Sequence, residues 1–320
     1  MHLFLRAIGF SQFDDAQEEK LIESSANQSP DNNVFIKKCE YFDRAELLVP
    51  ISDSTGICVY GKLDKSNPSE TAFKPLYYYP ILMGSSKCSN EEILVERHYD
   101  KESFEVVCED IKAGVTLMFY LQNCLDYLNF RAKTATNGAP PGIMQFCLNR
   151  KNPAEKEAIA GKKVILSALS VGGMILLPAV GKDVKQQRRS PKEAAKEAAR
   201  KNLIAAAKDG DQDAIESLTI EDLDTYTAIS RRIVSEDVLS IVESSFMPCG
   251  VECDQYSVIG EILEIERQTN VITDEVIIIM KLECNDIIFD MAVNEADIVG
   301  EPAVGRRFKG IVWLQGEVEF

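Results

Sequence analysis

Residues 186–247 carry a helical pattern between two stretches that read as strands, and this interruption constrains the fold more than any other feature of the sequence. Ser190-Pro191-Lys192-Glu193 combines an N-cap, a proline at the first helical position and a capping-box acid. Asp209-Gly210 supplies the stop, because glycine takes the left-handed conformation that ends a helix. Asp211, Thr219 and Ser235 then read as N-caps of three further short helices, with Ile215, Leu218, Leu223, Ile229, Ile233, Val238, Ile241 and Val242 as their apolar stripes. Pro248 closes the region.

On the N-terminal side the period is that of strands. Leu3–Phe10 reads as an opening strand, and Ser11 with Asp14 as the cap of a short amphipathic helix. Strand patterns follow at Ala45–Ile51, Gly56–Leu63, Pro75–Met83, Ile93–Tyr99, Phe104–Cys108 and Val115–Gln122. Thr134–Gly142 is a loop by composition, and Asn152–Ala160 a polar helical piece. Val164–Gly181 is eighteen residues without a charge, long enough to raise a membrane span. The Gly172-Gly173 pair and Pro178 interrupt it, so the expectation is a buried hairpin turning at the glycines, with no membrane partner. On the C-terminal side, Asn285-Asp286 and Gln315-Gly316 each read as a hairpin turn among five short strands.

The fold class expected is therefore α+β: a β-dominated α+β domain over 1–183, a helical segment over 184–247 with a basic first helix, and a small acidic β-barrel or sandwich over 248–320. Net charge follows the same division. Of the formal −16, the last segment contributes most, with 15 acidic against 5 basic residues, while 182–201 holds eight basic residues. Nine scattered cysteines, odd in number and mostly in apolar runs, suit a reducing compartment, and the N-terminus lacks the pattern of a signal peptide. A soluble cytoplasmic protein is expected.

Motifs that would carry chemistry are missing or broken. Gly161-Lys162-Lys163 and Gly181-Lys182-Asp183 lack the second glycine and the hydroxyl of a phosphate loop. Asp209-Gly210-Asp211-Gln212-Asp213 begins like a calcium loop, but Ala214 stands where its turn glycine belongs. Cys249 and Cys253 have no histidine near them in sequence, and His98 is the single candidate for a paired base. No catalytic residue, cofactor or metal is assigned. Two groups stand out as candidate interaction residues: the basic stripe Arg188, Arg189, Lys192, Lys196 and Arg200, and the strand cluster Arg306, Arg307 and Trp313. The acidity of the last segment disfavours nucleic acid there, and Trp313 and Phe308, an odd number apart, point to opposite faces of a strand.

Three stretches carry a resemblance to a known family: 1–10, Met-His-Leu-Phe-Leu-Arg-Ala-Ile-Gly-Phe; 246–254, Phe-Met-Pro-Cys-Gly-Val-Glu-Cys-Asp; and 300–310, Gly-Glu-Pro-Ala-Val-Gly-Arg-Arg-Phe-Lys-Gly, followed by Trp313-Leu314-Gln315-Gly316. They resemble an uncharacterised family of cytoplasmic proteins from anaerobic Gram-positive, clostridial bacteria. The resemblance implies a domain of unknown function and brings no catalytic residues. The last segment also resembles an oligonucleotide- or oligosaccharide-binding barrel in strand count and glycine punctuation, a likeness of fold from which function does not follow. The expectation drawn from all this is a non-enzymatic binding or regulatory protein working through protein or interdomain contacts. Two alternatives stay open: an enzyme with its site in the N-terminal β domain, and a single-stranded nucleic-acid binder using the basic helix and the barrel.

Overall fold

The computed structural model of the protein describes residues 2–27, 34–37, 42–64, 73–89, 92–97, 103–110, 115–136, 157–160, 163–179, 203, 206, 211–219 and 238–320. The described residues are mostly strand with few helices. A 3₁₀-helix, Leu3–Ile8, precedes α1 (Asp15–Asn27). The first strands are β1 (Val34–Lys37), β2 (Phe42–Pro50), β3 (Thr55–Asp64), β4 (Phe73–Leu82), β5 (Lys87–Ser89), β6 (Glu92–Arg97), β7 (Phe104–Asp110) and β8 (Val115–Leu121). Helix α2 (Cys124–Thr136), β9 (Glu157–Ala160) and β10 (Lys163–Leu176) complete the N-terminal part. From residue 245 onward come β11 (Ser245–Pro248), β12 (Gln255–Thr269), β13 (Val276–Cys284), β14 (Ile287–Asn294), β15 (Ile298–Val299) and β16 (Arg307–Val318).

Two compact units result: Met1–Leu176 together with Ser244–Phe320, and Leu177–Glu243. In the second unit the described helical residues include 212–219 and the single turn Val238–Ile241. Asp211 caps the former as expected, its Oδ1 accepting from the backbone N–H of Asp213 at 3.0 Å and Ala214 at 3.3 Å. The expected caps at Ser190 and Ser235 lie outside the described residues.

In the larger unit, β12, β13, β14, β10 and β16 pair in a ring, and the β12–β16 pairing closes it. All neighbours are antiparallel except β14 and β10, which run parallel with Ser167 opposite Asp290 and Ser170 opposite Val293. The barrel thus takes four strands from the C-terminal part and one from before the second unit, Leu177–Glu243. The expected division at 184 and 248 accordingly does not separate two cores. Val164, Leu166 and Ala168 of β10 are buried in one cluster with Val258, Phe289, Phe308 and Leu314. β16 then pairs with β8, which extends the barrel wall into β7, β6 and β9.

A second sheet, β1-β2-β3-β4, packs into a second core with the N-terminal segment and the outside of the barrel. Phe4, Leu5, Ile8 and Phe10 lie there beside Ile57, Val59, Leu169, Ile279 and Trp313. A buried polar network joins sheet and barrel. Gln122 Nε2 lies 2.8 Å from Gln315 Oε1 and 3.0 Å from the Leu82 carbonyl, while Gln315 Nε2 donates to the Pro80 carbonyl at 2.9 Å.

Several local expectations are corrected. Leu3–Ile8 is a 3₁₀-helix ended by left-handed Gly9, because its apolar side chains cover the barrel rather than pair in a sheet. α1 is capped by Asp14, not Ser11: the Gln17 N–H donates to Asp14 Oδ1 and the Asp14 N–H to Gln17 Oε1. Glu157–Ala160 is a strand, held by pairing with β6. Gly172-Gly173 makes no hairpin; β10 continues through it with a register shift between Ser170 and Gly173. The reason is packing, since a Cβ on Gly173 would sit 2.5 Å from the Phe308 ring. Gln315-Gly316 likewise lies inside one strand, β16, where a Cβ at Gly316 would meet Phe119 at 2.8 Å. Asn285-Asp286 does turn a two-residue hairpin, both residues adopting positive φ as the tight primed turn requires.

Candidate functional site

Helix α2 follows β8 after Gln122 and Asn123. Asn123 Nδ2 donates to the Val318 carbonyl at 2.9 Å, and the Val318 N–H donates back to Asn123 Oδ1 at 3.2 Å. This reciprocal pair fixes the start of α2 beside the end of β16. Between them lies a cavity of about 620 Å³ lined by Asn123, Asp126, Asn129, Phe130, Ile165, Glu317, Val318, Glu319 and Phe320. The Phe130 and Phe320 rings lie 5.5 Å apart at an interplanar angle of 30°. Three carboxyl groups face the space and, among the described residues, its lining holds no lysine or arginine. Burial, followed by the charge of Asp126, raises the Glu317 carboxyl above its ordinary range.

On the other side of the first turn of α2 sits Glu46, 6% exposed, on the β2 position opposite Tyr60 of β3. The Leu125 N–H donates to its carboxyl, as a helix N-terminus does to an anion, but burial and the nearby Asp126 outweigh that contact and push its pKa up to about 8. Among the described residues its Oε1 has no hydrogen-bond partner. Cys58, Cys124, Tyr79 and Tyr120 are buried around it, and burial raises each of these thiols and phenols far from its ionised form. The rings continue outward in contact, with Tyr60 on Tyr77 at 4.9 Å, Tyr79 against Tyr120 at 4.7 Å and Tyr120 against Trp313 at 5.2 Å. Asp126 thus couples an enclosed acid on one side of the turn to an open acidic cavity on the other.

The residues singled out from sequence are placed differently. Arg188, Arg189, Lys192, Lys196 and Arg200 lie outside the described residues, as does His98. Arg306 is half-buried, its Nη1 donating to the Glu301 carbonyl at 2.6 Å. Arg307 is 4% exposed and Trp313 6%. Trp313 packs among His2, Phe4 and Tyr120, each ring centroid 5.2 Å away, so it forms part of the second core and offers no face for stacking a base. Cys249 is half-buried and Cys253 exposed, and among the described residues no group of three metal-ligating side chains converges. Asp126, Glu317 and Glu46 were not singled out from sequence. A signal for α2 did exist: Asn123 and Asp126 stand three apart, with Leu125 and Leu128 spaced between and after them, the spacing of a capped helix start.

What these elements define is a mostly β protein with a closed five-stranded barrel whose strands lie on both sides, in sequence, of the unit Leu177–Glu243. Residues 5–316 match the model of the family described as "Domain of unknown function, E. rectale Gene description (DUF3881)", and the chain belongs to that family. No curated protein and no solved structure matches it. No helix among the described residues is long and apolar enough to cross a membrane.

Proposed function

We propose that the protein is a non-enzymatic binding protein of the cytoplasm whose site is the cavity between α2 and β16, and that its ligand is a lysine or arginine side chain of a protein partner. The observation that carries this is the cavity's lining: Asp126, Glu317 and Glu319 over the Phe130–Phe320 pair. Carboxylates attract the cation, and aromatic faces contribute about 0.5–2 kcal/mol to holding it. The same lining repels phosphate, which runs against a nucleic-acid ligand there. The free thiols Cys58, Cys108, Cys124, Cys249, Cys253 and Cys284 support a reducing compartment. The barrel reads as OB-like, supported by five strands of which one neighbouring pair is parallel. The N-terminal segment covers an outer face of the barrel, and the likeness is one of architecture only. The basic stripe Arg188, Arg189, Lys192, Lys196 and Arg200 supplies the opposite charge for an acidic partner.

The test is titration of the full chain with a synthetic arginine-rich peptide at low and high salt. Binding is expected to weaken with salt, and the double variant Asp126→Asn, Glu317→Gln to lose about tenfold or more in affinity, a change of roughly 1.4 kcal/mol. Glu301→Gln, at an exposed acid that does not line the cavity, is the control expected to leave affinity unchanged. Absence of binding at low salt, or equal binding by the double variant, overturns the reading.

A further inference from the structure

The Glu46 carboxyl is poorly accommodated in the described core. It is 6% exposed, one oxygen takes the Leu125 N–H, and Oε1 has no partner among the described residues. Among the described residues, the titratable groups that face it are Cys58 and Tyr60 from β3, Tyr77 and Tyr79 from β4, Tyr120 from β8, and Cys124 and Asp126 from α2. None of them is a cation. Arg44, two residues back on the same face of β2, is half-buried and has interactions of its own. Neutral, the carboxyl is a tolerable neighbour for thiols and phenols. Ionised, it places a charge with one bare oxygen in an apolar interior beside a second carboxylate, where the cheapest relief is hydration.

The hydrogen bond it accepts comes from the first turn of α2, at Leu125. Cys124 is the first residue of that turn, fully buried, with Sγ 3.2 Å from the Leu121 carbonyl. We infer that Glu46 is a proton-held latch: its neutral carboxyl seats the first turn of α2 against the four-stranded sheet, and loss of the proton to solvent unseats that turn and opens the Cys124 thiol. The burial that keeps Glu46 protonated up to about pH 8 sets where the latch operates. This inference does not depend on the cavity taking a ligand.

The experiment is iodoacetamide labelling of the full chain between pH 6.5 and 9.5, with peptide mass mapping of Cys124, Cys253 and Cys284. Exposed Cys253 reports the ordinary rise of thiol reactivity with pH, and Cys284, buried in the barrel wall, reports global opening. Labelling of Cys124 relative to Cys253 is expected to rise at least tenfold from pH 7 to 9 while Cys284 stays protected, and Glu46→Gln, which has no proton to lose, to keep the ratio flat. An equal rise in Glu46→Gln, or a rise in Cys284 that tracks Cys124, overturns the inference. Should Glu46→Gln fail to fold, Asp126→Asn serves instead. Removing the neighbouring charge lets Glu46 ionise more readily, so the rise is expected at higher pH in wild type than in the variant, and an unmoved midpoint overturns the inference.

Discussion

The indole Nε1 of Trp313 donates to Asp254 Oδ2 at 2.6 Å, inside a core where the aspartate is 8% exposed. One residue on, the Leu314 N–H donates to the Asp254 carbonyl at 2.9 Å, so a single turn residue pins β16 by both side chain and backbone. Asp254→Ala leaves the buried indole N–H without an acceptor, which costs about 1–3 kcal/mol. Asp254→Asn keeps an acceptor and is expected to lose less. Urea denaturation followed by the fluorescence of Trp313, the single tryptophan, measures both. Equal losses for the two variants would show that the side-chain bond contributes nothing.

Glu46 makes stability depend on pH in a defined direction. Its folded pKa stands above the ordinary carboxyl value, so the folded state holds a proton that the unfolded state releases. Its contribution is intact below about pH 4 and is lost as pH rises toward 8. Glu46→Gln should therefore match wild type below about pH 4, where both states hold the proton, and exceed it near pH 9 by a few kcal/mol. The check is the difference between the two denaturation curves at each pH; a difference that does not grow with pH would contradict the burial described.

Two glycines separate crowding from backbone strain. At Gly173 a Cβ would lie 2.5 Å from the Phe308 ring and 2.7 Å from the Lys309 carbonyl, so Gly173→Ala forces a shift in the barrel interior costing about 1–3 kcal/mol. At Gly305 φ is +82° and nothing lies within 4 Å, so Gly305→Ala carries conformational strain alone, about 1 kcal/mol. Thermal melts should rank Gly173→Ala as the more damaging.

The C-terminal part lacks a barrel strand of its own. A fragment 244–320 has β12, β13, β14 and β16 but leaves the edges of β14 and β16 that β10 fills without a partner. It is expected to show no cooperative unfolding. Fusing residues 163–176 to it through a flexible linker should restore a cooperative transition and dispersed amide resonances. A cooperative transition in the bare fragment would show that four strands suffice.

Periodicity made the individual strands legible. Gly56–Leu63 and Val115–Gln122 correspond to β3 and β8 within a residue or two, and the Asn285-Asp286 turn carries a local chemistry that only such a turn uses. Partnership was not legible. Gly172 and Gly173 look like a turn because nothing in the local sequence announces the Phe308 ring they must clear. Likewise the uncharged run 164–181 gives no sign that β10 closes a barrel with strands more than eighty residues later. The site was hidden for a related reason. Glu46 sits in a strand as an ordinary alternating polar residue, and only the packing of α2 over it turns that carboxyl into a buried acid.

The parallel pair of β10 and β14 sets an order of events during synthesis. β10 finds β14 and β16 only after the second unit, Leu177–Glu243, has been made, and Val164 must wait for its partner Val318. Until then a fourteen-residue, largely uncharged strand leaves the ribosome with its barrel partners unmade. Such long-range closure slows folding and exposes sticky edges in the interval. The newborn chain is therefore most vulnerable between the making of β10 and that of β16, and conditions that stall synthesis in that interval should send it toward aggregates or a chaperone rather than toward the folded state.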